Sequence, residues 1–428
     1  MEVVSYGEFS KAFHAQAHGE RIPTEVTIEV TRRCPLVCAH CYNNLPMSDR
    51  EARNSELTYE EHCRLLDELA EAGCLWLLYT GGEIFARRDF LDIYAYAKRK
   101  GFLITLFTNG TMLTPQIADY LAEWRPFSIE ITLYGRTRET YERLTGVPGS
   151  YERCLRGINL LKERGLPLKL KSVAVTINKH EIREMKRFAE EELKLEFKFD
   201  AMMSPRIDCS QSPLAVRLTP EETVELDLQD PARVAEWRRF AAQFNGPVHK
   251  PAESEDVYHC GGGISSLAID PQGMMSICVL SHMDAYDWRQ GGFREGWDDY
   301  LLKVRSRKSV SLTKCRDCGI KVICGMCPAN GELENGDAEK PVDFLCHVAH
   351  LRAQIVGQPA PAHGDCEYCE GGSRYGELMQ TLDALNQRDA TGHAVAAAPA
   401  SRNRQLPIVV EVATGGGCGS GGGCSSCH

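Results

Sequence analysis

The amino-acid sequence predicts an α/β protein: a partial, open (β/α)6 barrel followed by a small cysteine-rich domain. Three observations lead there. Runs with strand character alternate with amphipathic helical runs over residues 24–201. Such alternation implies parallel strands joined by right-handed crossovers. The stretch is too short for an eight-unit barrel of about 250 residues, so six units in an open barrel fit. Beyond it, cysteines crowd at short spacings.

Residues 1–23 read as a helical preamble ending near Pro23. Residues 24–31 alternate as a strand that leads straight into a cysteine loop. Thr58-Tyr59-Glu60-Glu61 is a capping box that opens a helix to residue 72. A strand over 75–80 is broken by Gly81-Gly82-Glu83. A helix over 90–100 stops at Gly101, and a strand over 103–108 ends at Asn109-Gly110. Helices over 115–124, 151–164 and 180–192 alternate with strands over 128–133, 168–177 and 195–201. Functional loops in such folds lie at the C-terminal ends of the strands, so Cys34, Gly81, Asn109 and Tyr134 fall on one face.

Residues 202–258, punctuated by Pro205, Pro213, Pro220 and Pro231, read as a bridge with one helix over 221–244. Residues 259–352 form the cysteine-rich domain. Residues 353–428, where the chain turns to Pro, Ala, Gly and Ser, read as a flexible Cys- and Gly-rich C-terminal tail with one helix over 375–386. Their end, 414–428, is nearly all Gly, Ser and Cys, cannot bury a core and is expected to be flexible.

Composition narrows the function classes. The chain has 428 residues, 43% hydrophobic and 25% charged, with a net charge of -10, which argues against a nucleic-acid enzyme gripping phosphates with a basic surface. The N-terminus lacks a signal-peptide pattern, and no apolar run approaches the roughly 20 residues that span a bilayer. A cytoplasmic protein with no membrane or nucleic-acid partner is expected. Its 19 cysteines, clustered in a large chain, read as metal ligands rather than disulfides. Cys63, Cys74 and Cys154 sit in apolar segments and read as small buried hydrophobes.

Cys34, Cys38 and Cys41 stand at spacing CxxxCxxC after the first strand. Three thiolates can hold three irons of a cubane, which leaves one iron open to a small molecule. The alternative is a zinc or redox loop with His40 as fourth ligand. Glycine at 81 and 82 allows close backbone approach; the alternative there is a plain turn. Glu130 and Thr132 alternate on the fourth strand and share a face.

With Tyr42 beside the last cysteine, the CxxxCxxC loop resembles the signature of the radical S-adenosylmethionine (SAM) superfamily. The resemblance implies that the open iron chelates SAM, and that an electron from the [4Fe-4S] cluster cleaves it to methionine and a 5'-deoxyadenosyl radical. Gly81-Gly82-Glu83 resembles the family motif that binds the SAM amino group, although Ile84 stands where the family usually has proline. Glu130 and Thr132 resemble positions that contact the ribose, and Arg143 resembles an arginine that pairs with the SAM carboxylate. Asn109 is expected to line the adenosine site.

Cys260, Cys278, Cys315, Cys318, Cys324, Cys327 and Cys346 resemble the SPASM domain, which carries two auxiliary [4Fe-4S] clusters. Two residues separate Cys324 from Cys327, where that domain usually has three. The alternative, a zinc ribbon on two CxxC knuckles, leaves Cys260, Cys278 and Cys346 unexplained. The resemblance implies one cluster on Cys315, Cys318, Cys324 and Cys346, and a second on Cys260, Cys278 and Cys327. Residues 251–259 hold no further cysteine, so the second would have an open iron or a distant ligand, Cys209 or His259.

The family then implies three [4Fe-4S] clusters and modification of a peptide or protein side chain, by oxidation or by a thioether or carbon–carbon crosslink. A separate recognition protein would deliver the substrate, and a flavodoxin or ferredoxin would supply electrons. The alternatives are a small-molecule substrate such as a haem or quinone-cofactor precursor, and a metallocluster maturation scaffold. No general acid or base stands out among polar candidates such as Asp208, Cys209 and His282. Cys366, Cys369, Cys418, Cys424, Cys427 and His428 are left as a mobile metal or redox arm, a substrate-like segment or a plain flexible tail.

Overall fold

Val26, Ile28 and Val30 are buried while their neighbours face the other way, the period of two expected of a strand. They belong to β1 (Glu25–Thr31). The structure, a computed structural model, describes residues 6–244, 255–311, 313–358 and 360–391. Five further strands follow with helices between them: β2 (Trp76–Gly81), β3 (Leu103–Thr108), β4 (Ser128–Thr132), β5 (Leu168–Val173) and β6 (Phe197–Asp200). All pair in parallel with their neighbours.

The sheet continues into the cysteine-rich region. β7 (Ser266–Ile269) pairs parallel with β1, Glu25 opposite Ser266 and Ile28 opposite Ile269. β8 (Met274–Ser276) and β9 (Tyr286–Asp287) then add antiparallel. The nine-stranded order is β9-β8-β7-β1-β2-β3-β4-β5-β6, with the two end strands unpaired to each other, so the sheet is open. Its helix-facing side chains, among them Ile28, Leu77, Ile104, Ile129 and Leu170, form one core with the surrounding helices.

The local signals explain the helices. Thr58 and Glu61 make the reciprocal capping box at Tyr59–Glu71, and Gly101, at φ 94°, ends Phe90–Lys100. A helix not anticipated, Arg138–Thr145, is capped by Thr137 and stopped by Gly146. Cys74 and Cys154 are buried and Cys63 is half-buried.

Two expectations are corrected. The single helix over 221–244 is two, Pro220–Leu228 and Pro231–Phe244. Pro231 has no N–H to continue the first helix, and the Asp230 carboxylate accepts instead from Ala232 N at 3.1 Å. Nor is 353–428 flexible throughout. Cys366, Tyr368, Cys369, Leu378 and Leu385 are buried against Leu345, Val348 and Leu351 of the helix Asp343–Val356. The expected short helix extends over Tyr375–Thr391. Cys418, Cys424, Cys427 and His428 lie outside the described residues.

Candidate active site

The cysteine loop is held from several directions. Before it, Arg33 forms a two-pronged pair with Glu56, both contacts 2.9 Å, and Thr31 donates to the same carboxylate at 2.5 Å. Within it, Val37 N and Ala39 N donate to the carbonyls of Thr145 and Leu144 at 2.9 and 3.0 Å. The Arg138–Thr145 helix therefore braces the loop with its C-terminal carbonyls, which have no partner inside the helix. After it, Arg206 donates to the Cys41 carbonyl at 3.2 Å and to Asn44 at 2.9 and 3.0 Å.

Gly81 and Gly82 press on the same loop. A Cβ on Gly81 would sit 2.1 Å from the Thr31 carbonyl oxygen, and one on Gly82 2.4 Å from that of Arg32. Gly82 N and Glu83 N donate to the carbonyls of Thr31 and Arg33 at 2.7 and 3.0 Å. The glycines are thus required by loop-on-loop packing. Glu83 is buried, and its oxygens accept from Thr108 Oγ1 at 2.6 Å, Asn109 N at 2.8 Å and Phe85 N at 3.3 Å. Burial pushes it up to about 7. Its hydrogen bonds tie the glycine loop to the end of β3.

Asn109 Nδ2 lies 3.5 Å from Cys34 Sγ, and its Oδ1 is fixed by Thr111. Burial pushes the Cys34 thiol up to about 12, with Glu83 adding to it. Burial, with Cys41 and Cys34 adding, raises Cys38, and Tyr134 hydrogen-bonds its sulfur. Burial also raises Cys41. Three thiols in a pocket hostile to anions become thiolates when metal supplies the positive charge, releasing protons.

Tyr42 OH donates to Glu29 at 2.8 Å, as does Asn43 Nδ2 at 2.5 Å. Arg32 bridges Glu29 and Asp270 at 3.4 and 3.2 Å. Glu130 faces Lys198 at 3.1 Å and Lys171 at 3.4 Å, and burial lowers the Lys171 ammonium against the pull of Glu130. Thr132 lies opposite Lys171 in the register of β4 and β5. Arg143 is exposed, 3.4 Å from the Ile177 carbonyl. The structure therefore gathers Cys34, Cys38, Cys41, Gly81–Glu83 and Asn109 tightly, and leaves Arg143 at the rim.

In the second field, Cys278 and Cys327 pack with Tyr42, Leu280 and Ala329 in one apolar cluster. Cys260 Sγ lies beside Gly262, which abuts the Ile277 carbonyl. Burial raises Cys324, with Cys318 and Cys315 adding; burial also raises Cys346, where Cys366, Cys324 and Cys315 add. Cys315, Cys318, Cys324, Cys346 and Cys366 are thus neighbours of one another, while Cys278 and Cys327 lie in the cluster with Tyr42.

Sequence reasoning missed Arg33, Glu56, Thr108 and Arg206. Arg33 adjoins a ligand, which is a weak signal; the others carry none, because their contacts join remote parts of the chain.

Residues 28–190 match the family model described as the radical SAM superfamily. This is a radical SAM domain. The chain is 26% identical over 335 residues to the AdoMet-dependent heme synthase of Methanosarcina barkeri, covering 74% of this chain and 94% of that one. It is 33% identical over 151 residues to the PqqA peptide cyclase of Granulibacter bethesdensis, 35% of this chain and 40% of the cyclase. Among solved structures, SuiB of Streptococcus suis bound to S-adenosylmethionine superposes with TM-score 0.59 at 17% identity, over 81% of this chain and 82% of SuiB. No helix among the described residues is long and apolar enough to cross a membrane.

The donor set of the radical SAM domain fits its cluster. Cys34, Cys38 and Cys41 bring three thiols together on one loop, each raised by burial and Cys34 and Cys38 further by neighbouring cysteines, and three thiolates on a cubane leave one iron open. When bound, the cluster and SAM supply a 5'-deoxyadenosyl radical. The chain's own part is to fix the loop through Arg33, Arg206 and the glycine loop, to give Cys34 a hydrogen-bond donor in Asn109, and to bury the thiols from water.

Proposed function

We propose that this radical SAM enzyme modifies a side chain of a peptide or protein, by oxidation or by a thioether or carbon–carbon crosslink. Two auxiliary [4Fe-4S] clusters assist, one on Cys315, Cys318, Cys324 and Cys346, the other on Cys260, Cys278 and Cys327. One observation carries the reading: Tyr42, next to Cys41, shares an apolar cluster with Cys278 and Cys327. A substrate radical formed beside the first cluster would have an electron acceptor nearby. The fold likeness to SuiB bound to the precursor peptide SuiA, TM-score 0.60 at 18% identity, supports a peptide substrate. Gly81–Glu83, Glu130, Thr132 and Arg143 would line the SAM site, with Tyr42 and Asn109 beside it.

A second reading has its own support: the similarity to the heme synthase spans 94% of that protein. It makes the substrate an iron tetrapyrrole. The test is 5'-deoxyadenosine formation by the reconstituted enzyme under a strong reductant, with Fe-coproporphyrin III as the added substrate. Tetrapyrrole-dependent turnover with a mass change on the porphyrin overturns the peptide reading. Turnover insensitive to it, with loss of two hydrogens from a peptide, supports it.

A further inference from the structure

Outside the radical SAM site, the described residues hold two overlapping convergences of metal-ligating atoms that share Cys366: Cys346 with His350 and Cys366, and His363 with Cys366 and Cys369. Cys346 is assigned to the proposed auxiliary cluster, which leaves the second. His363, Cys366 and Cys369 offer one nitrogen and two sulfurs, all within 4.8 Å of one another. His350, from the helix Asp343–Val356, completes the set. Its Nε2 is 3.4 Å from Cys369 Sγ and 3.5 Å from Cys366 Sγ. His363 Nδ1 is 3.4 Å from Cys369 Sγ. Ligands at the corners of a tetrahedron with bonds of about 2.0–2.3 Å stand roughly 3.5 Å apart.

The surroundings are those of a built site. His350, Cys366 and Cys369 are buried, at 2%, 5% and 3% exposure. His350 Nδ1 lies 2.7 Å from the Cys346 carbonyl, so the ring donates from Nδ1 and presents a bare Nε2 to the sulfurs, the arrangement that orients a metal-bound imidazole. The two cysteines sit on a tight turn, in which Cys366 N donates to the His363 carbonyl at 3.2 Å and Gly372 N to that of Cys369 at 2.8 Å. A Cβ on Gly372 would meet the Cys366 carbonyl at 2.5 Å, so this close fold of the chain admits only glycine there. His363 Nδ1 also lies 2.9 Å from the Pro361 carbonyl, and binding an ion exchanges that contact for a metal–nitrogen bond as the half-exposed ring turns.

We propose that His350, His363, Cys366 and Cys369 bind a single tetrahedral divalent transition-metal ion of the zinc type, separate from the iron–sulfur clusters. The ion closes a structural site with no open position. It pins residues 360–391 onto the helix Asp343–Val356, and through His350 it abuts Cys346. No electron transfer is involved.

The experiment uses the full chain, reconstituted with iron and sulfide and exchanged into chelator-treated buffer. Zinc and iron per chain are measured for the wild type, Cys366→Ser/Cys369→Ser and His363→Ala. The expected result is about one zinc per chain in the wild type. Both variants lose it at unchanged iron content. Cobalt in place of zinc shows the visible bands of a tetrahedral thiolate–imidazole site, which weaken in His363→Ala. His363→Ala alters a half-exposed loop residue, so it keeps the test alive if the double variant misfolds. Loss of iron with either variant assigns the pair to an auxiliary cluster and overturns the proposal. Zinc well below one per chain in the wild type, or zinc indifferent to the variants, also overturns it.

Discussion

The loop from Cys34 to Cys41 is clamped by ionic and hydrogen-bonding groups from far away in the chain, whereas the turns from Cys315 to Cys327 are tied mainly by short-range backbone bonds and rest on Ala349 and Ala353 through apolar packing. The first is gripped by the Arg33–Glu56 pair, by Arg206 and by the carbonyls of Leu144 and Thr145. In the second, Cys318 N donates to the Cys315 carbonyl at 3.4 Å, and Cys324 N to that of Lys321 at 3.1 Å. The strong ionic clamp nearby, Asp227 between Arg233 and Arg352, grips helices rather than these turns. The protein preorganises the first site in advance of its metal. In the second, the proposed metal and the turn would hold each other, as in small metal-dependent domains.

Removing metal should expose that contrast most. Chelation of iron and zinc is expected to open residues 313–391 to protease while residues 25–200 stay resistant. The driving term is the roughly 10 kcal/mol or more that a structural metal contributes in such domains. Limited proteolysis read by mass spectrometry checks it, and equal cleavage of both regions would erase the distinction. Conversely, a Cys34/Cys38/Cys41 triple alanine variant is expected to abolish 5'-deoxyadenosine formation yet leave the barrel folded by circular dichroism.

The clamps themselves come next. Arg33→Ala strands Glu56 as a buried unpaired charge, a loss of about 3–5 kcal/mol. Arg352→Ala, next to buried Asp227, should cost less, because Arg233 still reaches that carboxylate. What separates them is iron: Arg33→Ala is expected to lose iron from the first cluster, and Arg352→Ala to keep it. Denaturant melts with iron counts on the refolded protein provide the comparison.

Acid should weaken the barrel through a group unrelated to either field. His62 is wholly buried, and neither ring nitrogen has a hydrogen-bond partner among the described residues. Burial lowers it to about 3, with Arg87 adding. The unfolded chain takes up a proton as pH falls through about 6.5, and the folded chain refuses it until about 3. Stability is therefore intact above 6.5 and falls below it, by about 2 kcal/mol at pH 5. His62→Leu should flatten that slope. An unchanged slope in the variant would move the titration elsewhere.

Much of the radical SAM half was legible because its signals are local. Periods of two, the Thr58–Glu61 box and Gly101 are each read within a few residues, and the CxxxCxxC spacing puts the proposed ligands on one loop. The rest depends on pairings across the chain. β7 is four residues long and joins β1 from about 240 positions away, so nothing near Ser266 announces it. Glu83 looked like a partner for an ammonium because the local pattern shows a charge after two glycines. Only the fold reveals Thr108 and Asn109 N at its oxygens. Cys366 and Cys369 looked like part of a tail because the buried histidine they meet, His350, sits on an otherwise unremarkable helix.

The smallest effect concerns a side-chain amide that donates toward a cysteine of the first field. Asn109 Nδ2 approaches Cys34 Sγ at 3.5 Å. A donor at a cluster sulfur stabilises the more negative, reduced state. Asn109→Ala is therefore expected to shift the potential of the first cluster to more negative values and to slow reductive SAM cleavage about tenfold. The fold should lose only about 1 kcal/mol with the hydrogen bonds to Thr111. A redox titration followed by electron paramagnetic resonance reads the potential, and a thermal melt reads the fold. A variant that loses several kcal/mol at unchanged potential would make Asn109 a prop for the β3 turn. The contrast between the fields would then rest on backbone clamps alone.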